Sequence, residues 1–283
     1  MSAPFQTGAR QMDLGFERRG EHTVLARRLF AWPFVITRTF HLDARPAHLL
    51  TVIQQTSSGA MHGDDHLRQR FTLGPGAAVH LASQGAAAVH RAHPGDLTRD
   101  HVEMRLGPDS YFEYLPEPRI LFPGAALEQR IDIDCAETAV ALVADGFGVH
   151  DPAGGVSAFR QLESTNSLRF EGGEPVLIDR QRVEGPLPRC AGQFAAFGSL
   201  LFIRRQPAHA LEAVAAQLTA ALAQDGLLYG AASPLPADAG IGIRIAASNI
   251  SGLRRGTSLV RTCLRLMLFA AAPVERHRLA TRD

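Results

Sequence analysis

RQRFTLGPGAAVHLASQG (residues 68–85) and HVEMRLGPDSYFEYLPEP (residues 101–118) are two versions of one pattern. Each consists of an alternating run, an L-G-P turn and a second run. In the second copy His101, Glu103 and Arg105 alternate with Val102, Met104 and Leu106. A period of two sends successive side chains to opposite faces of a strand. Further along, Ile131, Ile133 and Cys135 alternate with Arg130, Asp132 and Asp134 in the same way. Turn chemistry separates these runs at Gly74-Pro75-Gly76, His93-Pro94-Gly95-Asp96, Gly107-Pro108-Asp109 and Asp151-Pro152. A repeated strand–turn–strand unit buries its apolar face only by stacking on its neighbours. The expected fold is therefore mainly β, a β-helical or solenoid-like stack of strands.

The pattern changes toward the C-terminus. Leu211, Val214, Ala215, Leu218 and Leu222 fall at helical spacing, with Gly226 placed as a stop. Leu253, Val260, Leu264, Met267 and Leu268 form a second apolar stripe, with Ser251 as its expected N-cap. Two α-helices are predicted, joined by AASPLPADAG (residues 231–240) and a short strand around Ile241–Ala246. No interdomain linker interrupts the chain, so one continuous domain over residues 1–283 is expected.

Composition narrows the chemistry. The 283 residues carry a net charge of +1 and are 46% hydrophobic, which suits a folded chain and gives no bulk attraction to nucleic acid or an anionic membrane. All 29 basic side chains are arginine. Without lysine there is no phosphate loop of the Walker type, and no Schiff-base or pyridoxal-phosphate chemistry. Cys135, Cys190 and Cys263 are widely spaced and odd in number, which argues against a disulfide framework or a zinc finger. Residues 1–20 hold no apolar signal core, and the apolar stretches at 194–203 and 264–274 are shorter than the ~20 residues that span a bilayer. A cytoplasmic protein is expected.

The most metal-like cluster is His62-Gly63-Asp64-Asp65-His66. Two histidines four apart share a face of a helix in zinc proteases, but Gly-Asp-Asp between them favours a turn and supplies no glutamate base. A structural turn and a transient metal contact both remain open here. His90, His93 and His101 form a second, looser group that reads equally well as half-buried polar residues on strands. Gly146-Phe147-Gly148 follows an apolar run, yet Pro152 and Gly154 argue against the helix a dinucleotide fingerprint needs. No G-x-S-x-G elbow exists. The carboxylates Glu113, Glu117, Asp132 and Asp134 are not paired by sequence; the last two share a strand face expected to meet solvent. Arg254, Arg261 and Arg265 form a basic stripe on the last helix, read as a solvated face or a contact for an acidic partner.

YFEYLPEPRILFPGA (residues 111–125) resembles a characteristic segment of the urease accessory D family, an aromatic-Leu-Pro strand leading into Ile-x-Phe-x-Gly-Ala. SQGAAAVHRA (83–92) and SSGAMHGDDHL (57–67) resemble further family segments in the same order, the second ending in Gly63-Asp64. Gly15-Phe16, Thr23 and Trp32-Pro33-Phe34 fit the opening strands, and RIAASNISGLRR (244–255) fits the end. The resemblance thus runs through nearly the whole chain. Departures mark a divergent branch. GFGVHDPAGG (146–155) stands where the family shows Gly-Arg-x-x-x-Gly-Glu, and paired glycines are reduced to Ser58-Gly59. His90 replaces a tyrosine, and Ala88 a lysine.

The resemblance implies a non-enzymatic β scaffold carrying two helices. Such a scaffold would bind the F-type accessory protein, which recruits the G-type GTPase, and the assembly would dock on apo-urease and deliver Ni²⁺. It implies no tightly bound cofactor, only transient Ni²⁺, with Asp64 as the first candidate contact and His62 and His66 next. The alternative is a β-rich metal-dependent hydrolase using His62, Asp64 and His66.

Overall fold

The computed structural model describes residues 10–154, 158–187 and 193–274. The chain opens with a hairpin, β1 (Met12–Arg19) and β2 (His22–Phe30), then short strands β3 (Phe34–Val35) and β4 (Thr39–Phe40). Winding begins with β5 (Leu50–Thr56), β6 (Ala60–Met61) and β7 (His66–Leu73). It continues through β8 (Ala78–Ser83), β9 (Ala88–Val89) and β10 (Thr98–Leu106). Next come β11 (Tyr111–Leu115), β12 (Arg119–Leu121) and β13 (Ala126–Cys135), then β14 (Val140–Val149) and β15 (Gln161–Phe170). β16 (Pro175–Glu184) returns antiparallel to β15. The chain then runs through β17 (Ala196–Ile203), α1 (Ala208–Ala223), β18 (Leu228–Pro234), β19 (Gly240–Ala247) and α2 (Ile250–Phe269).

Each of the first three turns of the coil contributes one strand to each of three walls, and a fourth turn adds β14 and β15. β7, β10, β13 and β15 stack in parallel as the first wall, flanked by β1 and β16. β5, β8, β11 and β14 form the second, which β17 and β19 extend. The two- and three-residue strands β6, β9 and β12 form the third, and β12 pairs with the end of β14. This is the expected β-solenoid, about 4 turns long.

The L-G-P repeat is one corner of this coil seen twice. Leu106 lies in register beside Leu73. The Gly107 N–H donates to the Leu73 carbonyl at 2.9 Å, and the Gly76 N–H to that of Pro108 at 2.9 Å. A Cβ on Gly107 would sit 2.9 Å from the Leu73 oxygen and 3.1 Å from the Gly74 carbonyl carbon, so only glycine lets the two backbones stack.

Inward residues of the walls, among them Phe71, Val79, Val102, Phe112, Ile131 and Val143, fill the coil. The second wall is also buried on its outer face. There Leu142, Leu200, Ile243 and Ile245 pack against Leu211, Leu218 and Leu222 of α1 and against Leu253, Val260 and Leu264 of α2. Burial on both faces explains why β14 and β17 read as almost unbroken apolar runs.

Several sequence expectations are corrected in the helices. α2 is capped by Asn249, whose side chain accepts from the Gly252 N–H at 2.9 Å, rather than by Ser251. Asn249 lies extended and reaches a free N–H of the first turn, whereas Ser251 is already inside the helix. Met267 is 39% exposed rather than part of the buried stripe. The arginines form no uniformly solvated stripe: Arg254 stays exposed while pairing with Glu117, but Arg261 pairs with Glu113 at 2.9 Å, and Arg265 is fully buried between Asp43 at 2.7 Å and Glu113 at 3.1 Å. Glu113 on the sheet and Asp43 on its loop draw Arg261 and Arg265 inward. Among the described residues no helix is long and apolar enough to cross a membrane.

Candidate functional site

The interior of the solenoid is not wholly apolar. On the first wall Asp100, Gln129 and Ser164 occupy one register row across β10, β13 and β15. All three are buried, at 1%, 7% and 1% exposure. Gln69 and Asn166 lie one inward step away and are equally buried. Opposite them the second wall contributes Gln54 and Asp145, and Arg119 enters from the third.

Most of these side chains are hydrogen-bonded to one another, as buried polar groups generally are, while the Asn166 Oδ1 and the Arg119 Nε find no partner among the described residues. Gln54 donates to Gln69 at 3.0 Å, Gln69 to Asp100 at 2.9 Å, and Arg119 completes a buried ion pair with Asp100. Beyond Asp100 the row continues as Gln129, which donates to Asp145 at 2.6 Å, and Ser164, which donates to the other Asp145 oxygen. Burial raises the Asp145 pKa despite those hydrogen bonds and the charges of Arg119 and Arg244. Burial also raises that of Tyr114, aided by the Asp100 and Asp145 charges.

The row opens at both ends. Gln54 and Arg119 line a cavity of about 360 Å³ floored by Tyr114 and bordered by Met61, Leu67 and Gln84. Asp145 lines a second, of about 270 Å³, with Ser199, Arg244, Gln181 and the exposed Tyr229. There Arg244 donates to Ser199 and to Asp179, each at 2.6 Å. Two hydrogen-bonded groups, one of Gln54, Gln69, Asp100 and Arg119 and one of Gln129, Ser164 and Asp145, thus lie in register between the two cavities in an otherwise apolar core.

The residues singled out by sequence lie elsewhere. His62, Asp64 and His66 occupy the corner between the third wall and the first, and all are exposed. This corner is a turn. The Asp65 N–H donates to the His62 carbonyl at 3.1 Å, the Asp65 carboxylate accepts from the His62 N–H at 2.8 Å, and Asp64 has a positive φ of 78°. Gly63 presses on the next coil, where a Cβ would stand 2.6 Å from the Ala92 Cα. The His66 ring contacts Arg99 at 2.6 Å, and His62 stacks on His90. Among the described residues no group of three or more His, Cys, Asp or Glu is placed to hold a metal ion. The arrangement therefore gives no support to the hydrolase alternative. Of the other candidates, Asp132 is half-buried rather than solvent-facing and is held by His101 at 2.7 Å and Arg130 at 2.7 Å. Asp134 accepts the Gly172 N–H at 3.0 Å. Cys190 lies outside the described residues.

Sequence reading passed over Asp100, Gln129 and Arg119. The signal was present for the first two: Asp100 shares strand parity with Val102, Met104 and Leu106, and Gln129 with Ile131 and Ile133. A polar residue at an inward position of an apolar alternation is the mark of a built interior.

The model of the UreD urease accessory protein family matches residues 8–280. The chain belongs to this family. It is 46% identical over 270 residues to urease accessory protein UreD 2 of Bradyrhizobium sp. strain ORS 278, covering 95% of this chain and 94% of the relative. It is 48% identical over 255 residues to a protein of the same name from Bradyrhizobium sp. strain BTAi1, covering 90% and 89%. UreD 1 of Methylorubrum extorquens strain PA1 is 30% identical over 95% of this chain and 91% of its own. UreD proteins are accessory proteins and not enzymes.

Proposed function

We propose that this chain is a urease maturation scaffold of the cytoplasm. It acts with the F-type accessory protein and the G-type GTPase to insert Ni²⁺ into apo-urease. The observation that carries the nickel reading is the polar row from Gln54 and Arg119 to Asp145 and Arg244, with a cavity at each end. A borderline divalent cation crosses an apolar core only along exchangeable oxygen and nitrogen donors, and amide and carboxylate oxygens are what this row offers. Asp64, His62 and His66 would be transient contacts on the outer surface. GTP chemistry belongs to the partner, since the chain has no lysine for a phosphate loop.

The test is urease activity and nickel content in a host co-expressing the urease subunits and the other accessory proteins, with and without this chain, at limiting nickel. Omission is expected to leave urease nickel-poor and inactive; equal maturation without the chain sinks the proposal. Asp64→Ala in the same assay tests the surface contact, and unchanged nickel loading by a folded variant removes Asp64 from the route.

A further inference from the structure

The third wall carries a stacked column of rings. Met61, Val89, Leu121 and Val149 are neighbours in successive coils. The residue after each is His62, His90, Phe122 and His150. Backbone bonds hold this register: the His90 N–H donates to the Met61 carbonyl at 2.9 Å, that of Phe122 to Val89 at 3.1 Å, and that of His150 to Leu121 at 3.1 Å. The four side chains therefore project from one corner, one above another. His62 and His90 lie nearly parallel, with ring centroids 5.0 Å apart and planes 9° apart. Phe122 meets His90 edge-on at 5.1 Å and separates it from His150.

We propose that His62 and His90 form a two-imidazole surface site for a borderline divalent cation such as Ni²⁺. The inference rests on the nickel reading above and replaces His66 by His90 as the partner of His62. Four observations carry it. Imidazole is a favoured ligand of nickel. Stacking holds both rings at one corner of the coil, where turning them about their side-chain torsions out of the stack can direct one nitrogen of each to a common ion. No hydrogen bond among the described residues engages either ring, whereas the His66 ring is turned to Arg99. Finally, the Asp65 carboxylate, bound to the His62 N–H at 2.8 Å, sets a negative charge in the same turn. Phe122 backs His90 and limits the column to one pair, because His150 lies beyond the phenyl ring. Two protein ligands leave most of the coordination sphere to water, so the ion is held weakly and exchanges, as a cargo site requires.

The full chain is dialysed to equilibrium against NiCl₂ and bound nickel is measured by atomic absorption. Variants H62A, H90A and H62A/H90A are each expected to lose the same one equivalent, with H150A retaining it. H90Y keeps an aromatic ring against Phe122 while removing the ligand, so it separates lost coordination from lost packing; it too is expected to lose the equivalent. Unchanged stoichiometry in folded H62A/H90A overturns the site, as does an equal loss in H150A, which would mean diffuse histidine binding. The maturation assay with and without the chain is read separately: if the chain proves necessary while H62A/H90A binds nickel normally, this site fails and the scaffold reading stands.

Discussion

Replacing Glu113 by glutamine tests whether the buried charges under α2 hold the helix to the solenoid. Glu113 is fully buried, and its two oxygens accept from Tyr111 at 2.6 Å and Arg261 at 2.9 Å. His80 at 2.9 Å and Arg265 at 3.1 Å complete its surroundings. Burial by itself would raise its pKa. Hydrogen bonding from His80 and the charges of His80, Arg261 and Arg265 outweigh that and hold the carboxyl far below the usual range. Two carboxylates, Glu113 and Asp43, thus face two guanidinium groups. Glu113→Gln leaves Arg265 paired with Asp43 but leaves Arg261, only 13% exposed, without a carboxylate. Removing one partner of a buried pair costs about 3–5 kcal/mol. Access of Arg261 to water sets the expectation at the lower end, a fall in Tm on the order of 10 °C. Thermal and urea unfolding of the purified chain measure it, and adding Arg261→Met should recover much of the loss. The sign with pH follows from the lowered pKa. Glu113 contributes its stability above the ordinary carboxylate pKa of ~4.3, and that stability is lost as pH falls toward the folded value. The variant should therefore show a flatter acid limb below about pH 4. A Glu113→Gln protein melting within about 2 °C of the parent would refute the reasoning.

Asp100→Asn removes the carboxylate paired with the buried Arg119 and is expected to cost about 3 kcal/mol in urea unfolding. Gly107→Ala forces a methyl group against the Leu73 carbonyl, so a loss of about 1–3 kcal/mol is expected in the same measurement. Asp132 is held at a pKa of about 2: burial would raise it, and hydrogen bonds from His101 and Arg130 lower it by more. Its stabilisation is present above the unfolded aspartate value of ~3.9 and lost as pH falls through about 2, and because the pair is partly open to water it should amount to less than ~1 kcal/mol. His101→Gln should raise the Asp132 pKa, as followed by carboxyl NMR titration; no movement would mean that Arg130 alone sets it.

Local signals were enough for the architecture. Alternation in His101–Leu106 and Arg130–Cys135, with two L-G-P turns, reports strands that bury one face, and such units are stable only when stacked. The apolar spacing of Leu211–Leu222 and Leu253–Leu268 likewise marked α1 and α2, because a helix needs only its own periodicity to be visible. The absence of lysine closed off whole classes of chemistry without any coordinates. The site was another matter. Asp100, Gln129 and Ser164 are separated by whole coils of chain and meet only because β10, β13 and β15 pair in one register. Arg265 looked exposed on a helical wheel, yet Asp43 and Glu113, from two distant segments, draw it into full burial. His62 was read with His66, its neighbour along the chain, whereas stacking of the coils gives it His90. Periodicity is a property of a few adjacent residues and can be read from them; partnership across coils is fixed by strand register, which exists only once the chain has wound on itself.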